Sequence, residues 1–304
     1  MQKYAFFLKL RLHKRLKANT YKMIIFKKAS DISRFIAQKK GTGISIGLIP
    51  TMGALHAGHI ALILASKNID DLAICSIFVN PTQFNDKKDF EKYPSTIEAD
   101  INMLEKAGCD VLFLPGIREI YPGGTSNEKK FDLGYLETIL EGTFRPGHFQ
   151  GVCQVVYRLL TIIPAARLYL GRKDYQQCMV LQKMISGMHF KIEMIICPTM
   201  REKDGLAMSS RNMRLTETER KQAVKIFETL SFIKKELRTG YLEDLKERAR
   251  QYLAAEGFKV DYVEIANAIT LEPMENNDGN MPLVALIAAF INGVRLIDNM
   301  VVQE

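Results

Sequence analysis

The sequence predicts an α/β fold: a Rossmann-like, doubly wound parallel sheet followed by a smaller C-terminal α+β domain. Three observations predict it. Apolar runs of strand length alternate with helix-length segments between residues 44 and 197, the rhythm of parallel strands joined by helical crossovers. Two strand-to-helix junctions carry glycine beside imidazole or cationic side chains, the place where such sheets bind ligands. Beyond residue 199 the composition changes to charged amphipathic helices and two further strands.

Residues 44–50 read as a buried strand, and Thr51-Met52-Gly53 as a turn. His56 and His59 then fall at the start of a helix expected over residues 59–67. A helix start offers unpaired N–H groups and a positive dipole end. Two histidines at i and i+3 share its face and can donate to phosphate oxygens. Gly58 between them lets a ligand approach the backbone. Strand, glycine turn, His-x-Gly-His and helix together suit the α-phosphate of a nucleoside triphosphate. A metal reading lacks a third ligand, since the chain has five histidines, 13, 56, 59, 148 and 189.

A second strand is expected over residues 72–79, ending in the polar stretch from Asn80 to Asn85. Ser95 reads as the cap of a helix ending at Ala107, with Glu98 completing a capping box. Residues 111–114 form a third strand. Residues 121–147 are loop-rich, and a helix follows over 149–163, stopped by Pro164. A short strand over 167–170 leads into Gly171-Arg172-Lys173-Asp174 and a helix to about residue 188. Residues 192–197 are the last strand of the first domain, and 198–205 read as a hinge. Helices over 216–238 and 242–255 and strands over 259–266 and 283–291 make up the smaller domain. The boundaries expected are an N-terminal extension over 1–22, a nucleotide-binding domain over 23–199 and a lid domain over 200–304.

The 304 residues carry a formal charge of +8, which suggests nucleic acid until its position is considered. Seven of the 42 Lys and Arg lie in residues 1–22, which contain no acid. The remaining 35 face 34 acids, so the body of the chain is nearly neutral. No aromatic-basic stripe is present, and an RNA-binding module is disfavoured. No apolar run approaches the ~18 residues of a membrane helix. The five cysteines stand singly, as small hydrophobes of a reducing compartment do.

A further constellation runs from Asp204 to Asn212, Asp-Gly-Leu-Ala-Met-Ser-Ser-Arg-Asn. Two hydroxyls and a guanidinium beside a glycine suit a loop that closes over polyphosphate.

Five motifs in order resemble the pantoate–β-alanine ligase family: Pro50-Thr-Met-Gly-Ala-Leu-His-x-Gly-His59, Val79-Asn-Pro-Thr-Gln-Phe84, Arg145-Pro-Gly-His-Phe149, Lys173-Asp-x-Gln-Gln177 and Arg201-Glu-x-Asp-Gly-Leu-Ala-Met-Ser-Ser-Arg-Asn212. Arg295-Leu-Ile-Asp-Asn299 fits the family's C-terminal end, so the resemblance covers residues 23–299. The first and last of the five are also similar to the signatures of the wider nucleotidylyl-transferase superfamily.

The resemblance implies that pantoate attacks the α-phosphate of Mg-ATP to give pantoyl adenylate and pyrophosphate, and that β-alanine then displaces AMP. It implies catalytic roles for His59, His56, Lys173 and Arg211, with the acid role at His59. It places ATP along Met52, Gly53, Ala54, Leu55, His56, Ala57, Gly58 and His59, along Gly171, Arg172, Lys173 and Asp174, and on Met200, Met208, Ser209, Ser210 and Arg211. Gln83 and Gln177, with Asn80 as a third member, match the pantoate clamp, and Val155 and Val156 either wall pantoate's dimethyl group or belong to the helix core. Asp100 is a candidate for Mg²⁺, with a surface helix position as the alternative. A homodimer in the cytoplasm is implied, with no nucleic-acid or membrane partner. The sequence departs from the family at Ala57, Gln150, Cys153 and Arg172, where Glu, Asp, Ala and Glu are usual. Arg172 either adds to phosphate binding or points to solvent. The alternative function is a nucleotidylyl transferase of the same superfamily with another acceptor.

Overall fold

Six short strands form one parallel sheet at the centre of the computed structural model, which describes residues 23–41, 43–125 and 129–304. The extension expected over residues 1–22 lies outside the described residues. The strands are β1 (Ile24–Phe26), β2 (Ile46–Thr51), β3 (Leu72–Ile77), β4 (Val111–Phe113), β5 (Arg167–Gly171) and β6 (Glu193–Cys197). They pair in the order β1-β4-β3-β2-β5-β6. The chain winds one way from β2 through β3 to β4 and the other way from β5 to β6. The gap between the carboxyl ends of β2 and β5 is therefore the switch point of a doubly wound sheet.

Both faces of the sheet are covered, which is why β2 and β3 are nearly continuous apolar runs. One face packs Ile46, Leu48 and Ile74 against helices α1 (Ala29–Lys40), α7 (His148–Ile162) and α8 (Tyr175–Gly187). The other packs Ile49, Cys75 and Leu112 against α2 (Ala57–Ile69) and α4 (Ile97–Lys106). Three short helices, α3 (Lys87–Glu91), α5 (Ile117–Ile120) and α6 (Glu141–Phe144), lie in the connections. All five cysteines are free thiols, four of them buried.

Several expected boundaries are corrected. Helix α1 was not anticipated, although Ile32 and Ile36 repeat at helical spacing and are buried. Helix α2 starts at Ala57, because His56 is its N-cap. Helix α4 starts at Ile97 rather than after Ser95, and the hydroxyl of Thr96 is drawn to Asp100 instead of capping the backbone. The helix expected over 216–238 divides at Val224 into α9 (Glu217–Ala223) and α10 (Lys225–Glu236).

After β6 the chain makes a 3₁₀ turn, Ser210–Arg214, and then builds a second sheet. Strands β8 (Lys259–Asn267), β10 (Leu283–Ile291) and β11 (Val294–Gln303) are antiparallel in the order β11-β10-β8, beside a small ribbon of β7 (Gly240–Tyr241) and β9 (Asn276–Asn277). Strand β11 was read only as a motif in the sequence and adds a third strand to the two expected. Helices α10 and α11 (Glu243–Ala255) pack Ile226, Leu230 and Leu253 against Val263, Ile265 and Ile287. Val284 and Leu286 of the opposite face join the same apolar cluster as the main sheet, so the two sheets share a continuous interior.

Candidate active site

A cleft of about 690 Å³ opens at the switch point, between the carboxyl ends of β2 and β5 and the second sheet. Its first wall is the start of α2. His56 is extended (φ −139°, ψ 176°), and its Nδ1 accepts from the Gly58 amide at 3.1 Å. The Nδ1 of His59 accepts from the His56 amide at 3.2 Å. This is a capping box made by two imidazoles. Because each Nδ1 accepts, each ring carries its proton on Nε2, which is left as a donor. Burial, aided by Lys173, lowers the pKa of His56 to about 4. Burial, aided by His56, lowers that of His59 to about 3. Both rings are neutral donors near neutral pH.

A Cβ on Gly58 would stand 2.9 Å from Cε1 and Nδ1 of His56. Gly58 lines the cleft, and its bare Cα also makes room for the cap. The preceding turn is left-handed at both Gly53 (φ 83°) and Ala54 (φ 49°). Asp100 holds it there: its carboxylate accepts from the amides of Ala54 (2.9 Å) and Leu55 (2.8 Å) and from the Thr96 hydroxyl (3.0 Å). Asp100 is buried, so the surface alternative is corrected, and its oxygens are committed to the turn rather than directed at a metal in the cleft. Gly53, Ala54 and Leu55 support the wall from behind, and Ala57 is exposed; none of the four lines the cleft.

The second wall follows β5. Gly171, Lys173 and Asp174 line the cleft, and Lys173 Nζ lies 3.4 Å from Asp174 Oδ1. Arg172 is exposed and off the cleft, which corrects its expected place beside ATP. The third wall is the 3₁₀ turn. Met200, Met208, Ser209, Ser210 and Arg211 all line the cleft. Ser209 caps the turn by accepting from the Arg211 amide (3.3 Å), and the buried Ser210 donates to the Ala54 carbonyl (2.9 Å), tying this turn to the first wall. Arg201 grips Asp298 of β11 with two hydrogen bonds, at 2.6 and 3.0 Å.

Gln83 ends the 3₁₀ turn Pro81–Gln83 after β3 and lines the cleft, with its amide nitrogen 3.1 Å from the weakly accepting Sδ of Met52. Gln177, in the first turn of α8, also lines it and makes no side-chain hydrogen bond among the described residues. Asn80 does not join them. It is buried, donates to the Gly151 carbonyl (3.0 Å) and accepts from the Tyr121 hydroxyl (2.8 Å), so it braces the Gln83 turn. Val155 and Val156 are buried in α7, as the core reading expects, and also line the cleft.

The sequence reading gave no role to a cluster on the remaining wall. His148 Nδ1 donates to the Gln83 carbonyl (2.8 Å), which leaves Nε2 to accept from Arg145 (3.1 Å). Burial, then Arg145, lowers His148 to about 3. Glu141 accepts from Arg295 at 2.7 and 2.8 Å and from the Tyr262 hydroxyl at 3.0 Å. Burial alone would raise its pKa, but Arg295 outweighs that and brings it to about 2. The spacing of Arg145 and His148, three apart at a helix start, is the signal that was available.

A sequence model described as Pantoate-beta-alanine ligase matches residues 24–301. A pantothenate synthetase from Cytophaga hutchinsonii is 43% identical over 283 residues, covering 92% of this chain and 99% of that protein. One from Koribacter versatilis is 47% identical, covering 86% and 89%. The crystal structure of pantothenate synthetase from Thermus thermophilus superimposes with a TM-score of 0.84 at 34% identity, covering 93% and 100% of the two chains. That of a pantoate-beta-alanine ligase from Francisella tularensis, complexed with beta-gamma ATP and beta-alanine, gives 0.78 at 37% identity, covering 92% and 98%.

Proposed function

The chain belongs to the pantoate–β-alanine ligase family, and on that premise we propose how its cleft works. It condenses pantoate with β-alanine at the expense of ATP. The observation that carries the reading is a division of charge within one cleft. Two imidazole donors, a helix N-terminus and Lys173 gather at the switch point, while the uncharged amides of Gln83 and Gln177 and the apolar Val155 and Val156 share the same cavity.

In this reading the pantoate carboxylate attacks the α-phosphorus of ATP and the bond to pyrophosphate breaks. The amine of β-alanine then attacks the acyl carbon of the adenylate, and AMP leaves. In-line displacement at phosphorus needs positioning and charge neutralisation more than covalent help. The Nε2 donors of His56 and His59, the Lys173 ammonium and the positive end of the α2 dipole supply these where negative charge develops. With its pKa near 3, His59 acts as a neutral hydrogen-bond donor in the first step. Gln83 and Gln177 orient the pantoate carboxylate and hydroxyls without an ion pair that would blunt the nucleophile. Ser209 and Arg211 complete the polyphosphate contacts.

Magnesium, if carried by the triphosphate, would supply charge neutralisation at the phosphate oxygens. Among the described residues no three His, Cys, Asp or Glu gather to hold a metal. Asp174, on the cleft wall, is the carboxylate assigned to it. Residues 200–304 act as a lid that keeps water from the labile adenylate. In this reading the protein works as a homodimer in the cytoplasm.

The test is incubation with ATP, pantoate and β-alanine, omitting each in turn, while AMP and pyrophosphate are followed. Pyrophosphate release should require ATP and pantoate, and AMP release should also require β-alanine. Turnover with another acceptor in place of pantoate would move the chain to a different transferase activity.

A further inference from the structure

Arg211, expected to meet polyphosphate, already has an anion. Asp89 of the short helix α3 accepts from Arg211 through Oδ2 (2.9 Å) and from Arg214 through Oδ1 (2.7 Å). All three side chains line the cleft and are between 21% and 26% exposed, so water screens the pair less than at an open surface. Burial acts to raise the carboxyl of Asp89, but the two guanidiniums outweigh it and hold the group below its usual range.

The geometry points to Asp89 as a placeholder anion, which holds Arg211 and Arg214 in the seat that polyphosphate takes and is exchanged for phosphate oxygens at Arg211 when ATP binds. Three features support this. First, the pair joins two separate walls. The segment bearing Asp89 is stapled by its own aromatic contacts, Phe84 on Phe90 (5.3 Å) and on Tyr93 (5.9 Å), whereas the arginines stand on the 3₁₀ turn. Exchange at Arg211 therefore breaks an ion pair without dismantling either wall. Second, Lys92 and Lys173 line the same cleft as the two arginines, whereas Arg145 is held by Glu141 (3.5 Å). A triphosphate or pyrophosphate, with several charges spread over many oxygens, outcompetes a single carboxylate at such a rim. Third, Asp89 lies six residues after Gln83 on the same wall, so the exchange takes place beside the proposed pantoate clamp.

The role is a positioning one with a cost. Asp89 weakens polyphosphate binding by competition, and by reclaiming Arg211 it speeds departure of pyrophosphate. The inference rests on the cleft being the ATP site of the proposed ligase.

The experiment compares the full-length protein with Asp89→Asn, Asp89→Ser and Asp89→Glu. Binding of ATP and of inorganic pyrophosphate is measured by calorimetry without pantoate, and product inhibition by pyrophosphate during turnover. Removing a competing, partly buried ion pair should tighten pyrophosphate binding on the order of 3- to 10-fold in Asp89→Asn and Asp89→Ser. Inhibition by pyrophosphate should strengthen to match, and Asp89→Glu should return both toward the wild type. A merely structural tie predicts unchanged or weaker binding in the uncharged variants, and that result overturns the inference while leaving the ligase reading in place. A wild-type protein that binds neither ATP nor pyrophosphate overturns the ligase reading itself, and the inference with it.

Discussion

The side-chain amide of Asn299 donates to the main-chain carbonyls of both Lys173 (2.7 Å) and Arg172 (3.1 Å), so the last strand of the chain fixes the backbone on which the cleft lysine stands. Asn299 is buried, and its loss leaves two carbonyls without that donor. Asn299→Ala should cost about 1–3 kcal/mol of stability. Its adenylation rate should fall, but by less than in Lys173→Ala, where the loss of a transition-state cation should cost roughly 10²–10³. Denaturant melts and single-turnover adenylation read the two effects separately; wild-type behaviour of Asn299→Ala in both would show that the tie is idle.

Gly58→Ala places a methyl group against the His56 ring and should displace it from the Gly58 amide. The expected result is about 1 kcal/mol lost with the cap, together with weaker ATP binding as the Nε2 donor is re-aimed. Calorimetry with ATP checks it. Unchanged affinity would mean that His56 does not face phosphate.

Gln177→Ala should raise the pantoate requirement strongly and leave ATP affinity nearly unchanged, because the amide has no hydrogen-bond partner among the described residues and carries no charge for phosphate. Pantoate-dependent pyrophosphate release and ATP calorimetry separate the two. Loss of ATP affinity with a normal pantoate response would mean that the substrates have been placed the wrong way round in the cleft.

Stability should fall as the solution is acidified from about pH 6.5. His56, His59 and His148 have folded pKa values of about 4, 3 and 3, below the ordinary 6.5. The unfolded chain therefore binds more protons between those values, and stability rises with pH across that window. The contribution is complete above about 6.5 and lost as pH falls toward the folded values. Glu141, with its pKa near 2 against an ordinary 4.5, adds a further loss only below about 4.5. Denaturant titrations between about pH 5 and 8 should show a plateau above neutrality and a decline below 6.5. For the same reason kcat/KM for ATP, which reports the free enzyme, should lack an acid limb near 6.5. A stability profile flat down to pH 5 would contradict buried neutral histidines.

Most of the parallel sheet was legible because a strand buried on both faces is apolar throughout, as in β2 and β3, and because glycine and polar residues punctuate its ends. Strand β11 was not, because Asp298 and Asn299 interrupt its alternation, and both are buried for partners far away in sequence: Arg201 and the Lys173 turn. Asp100 misled for the same reason. An acid in a helix suggests a solvated face, and nothing local shows that two amides some 45 residues earlier need its oxygens. The cleft-lining residues His56, His59 and Lys173 were legible from types and spacing at strand-to-helix junctions, and Ser209 from the constellation between Asp204 and Asn212. Asn80 was not separable from Gln83, since both are amides on one polar loop and the long-range bonds to Gly151 and Tyr121 are what mark Asn80 as scaffold.

The carboxylate of Glu141, shared between Arg295 and Tyr262, has a consequence for ancestry and recombination. A crossover between two relatives near residue 199 would inherit Glu141 from one parent and Tyr262 and Arg295 from the other. Where the second parent has no cation at residue 295, Glu141 would keep only Arg145 of its two guanidinium partners. A swapped C-terminal half therefore keeps this tie only where its residues 262 and 295 match residue 141.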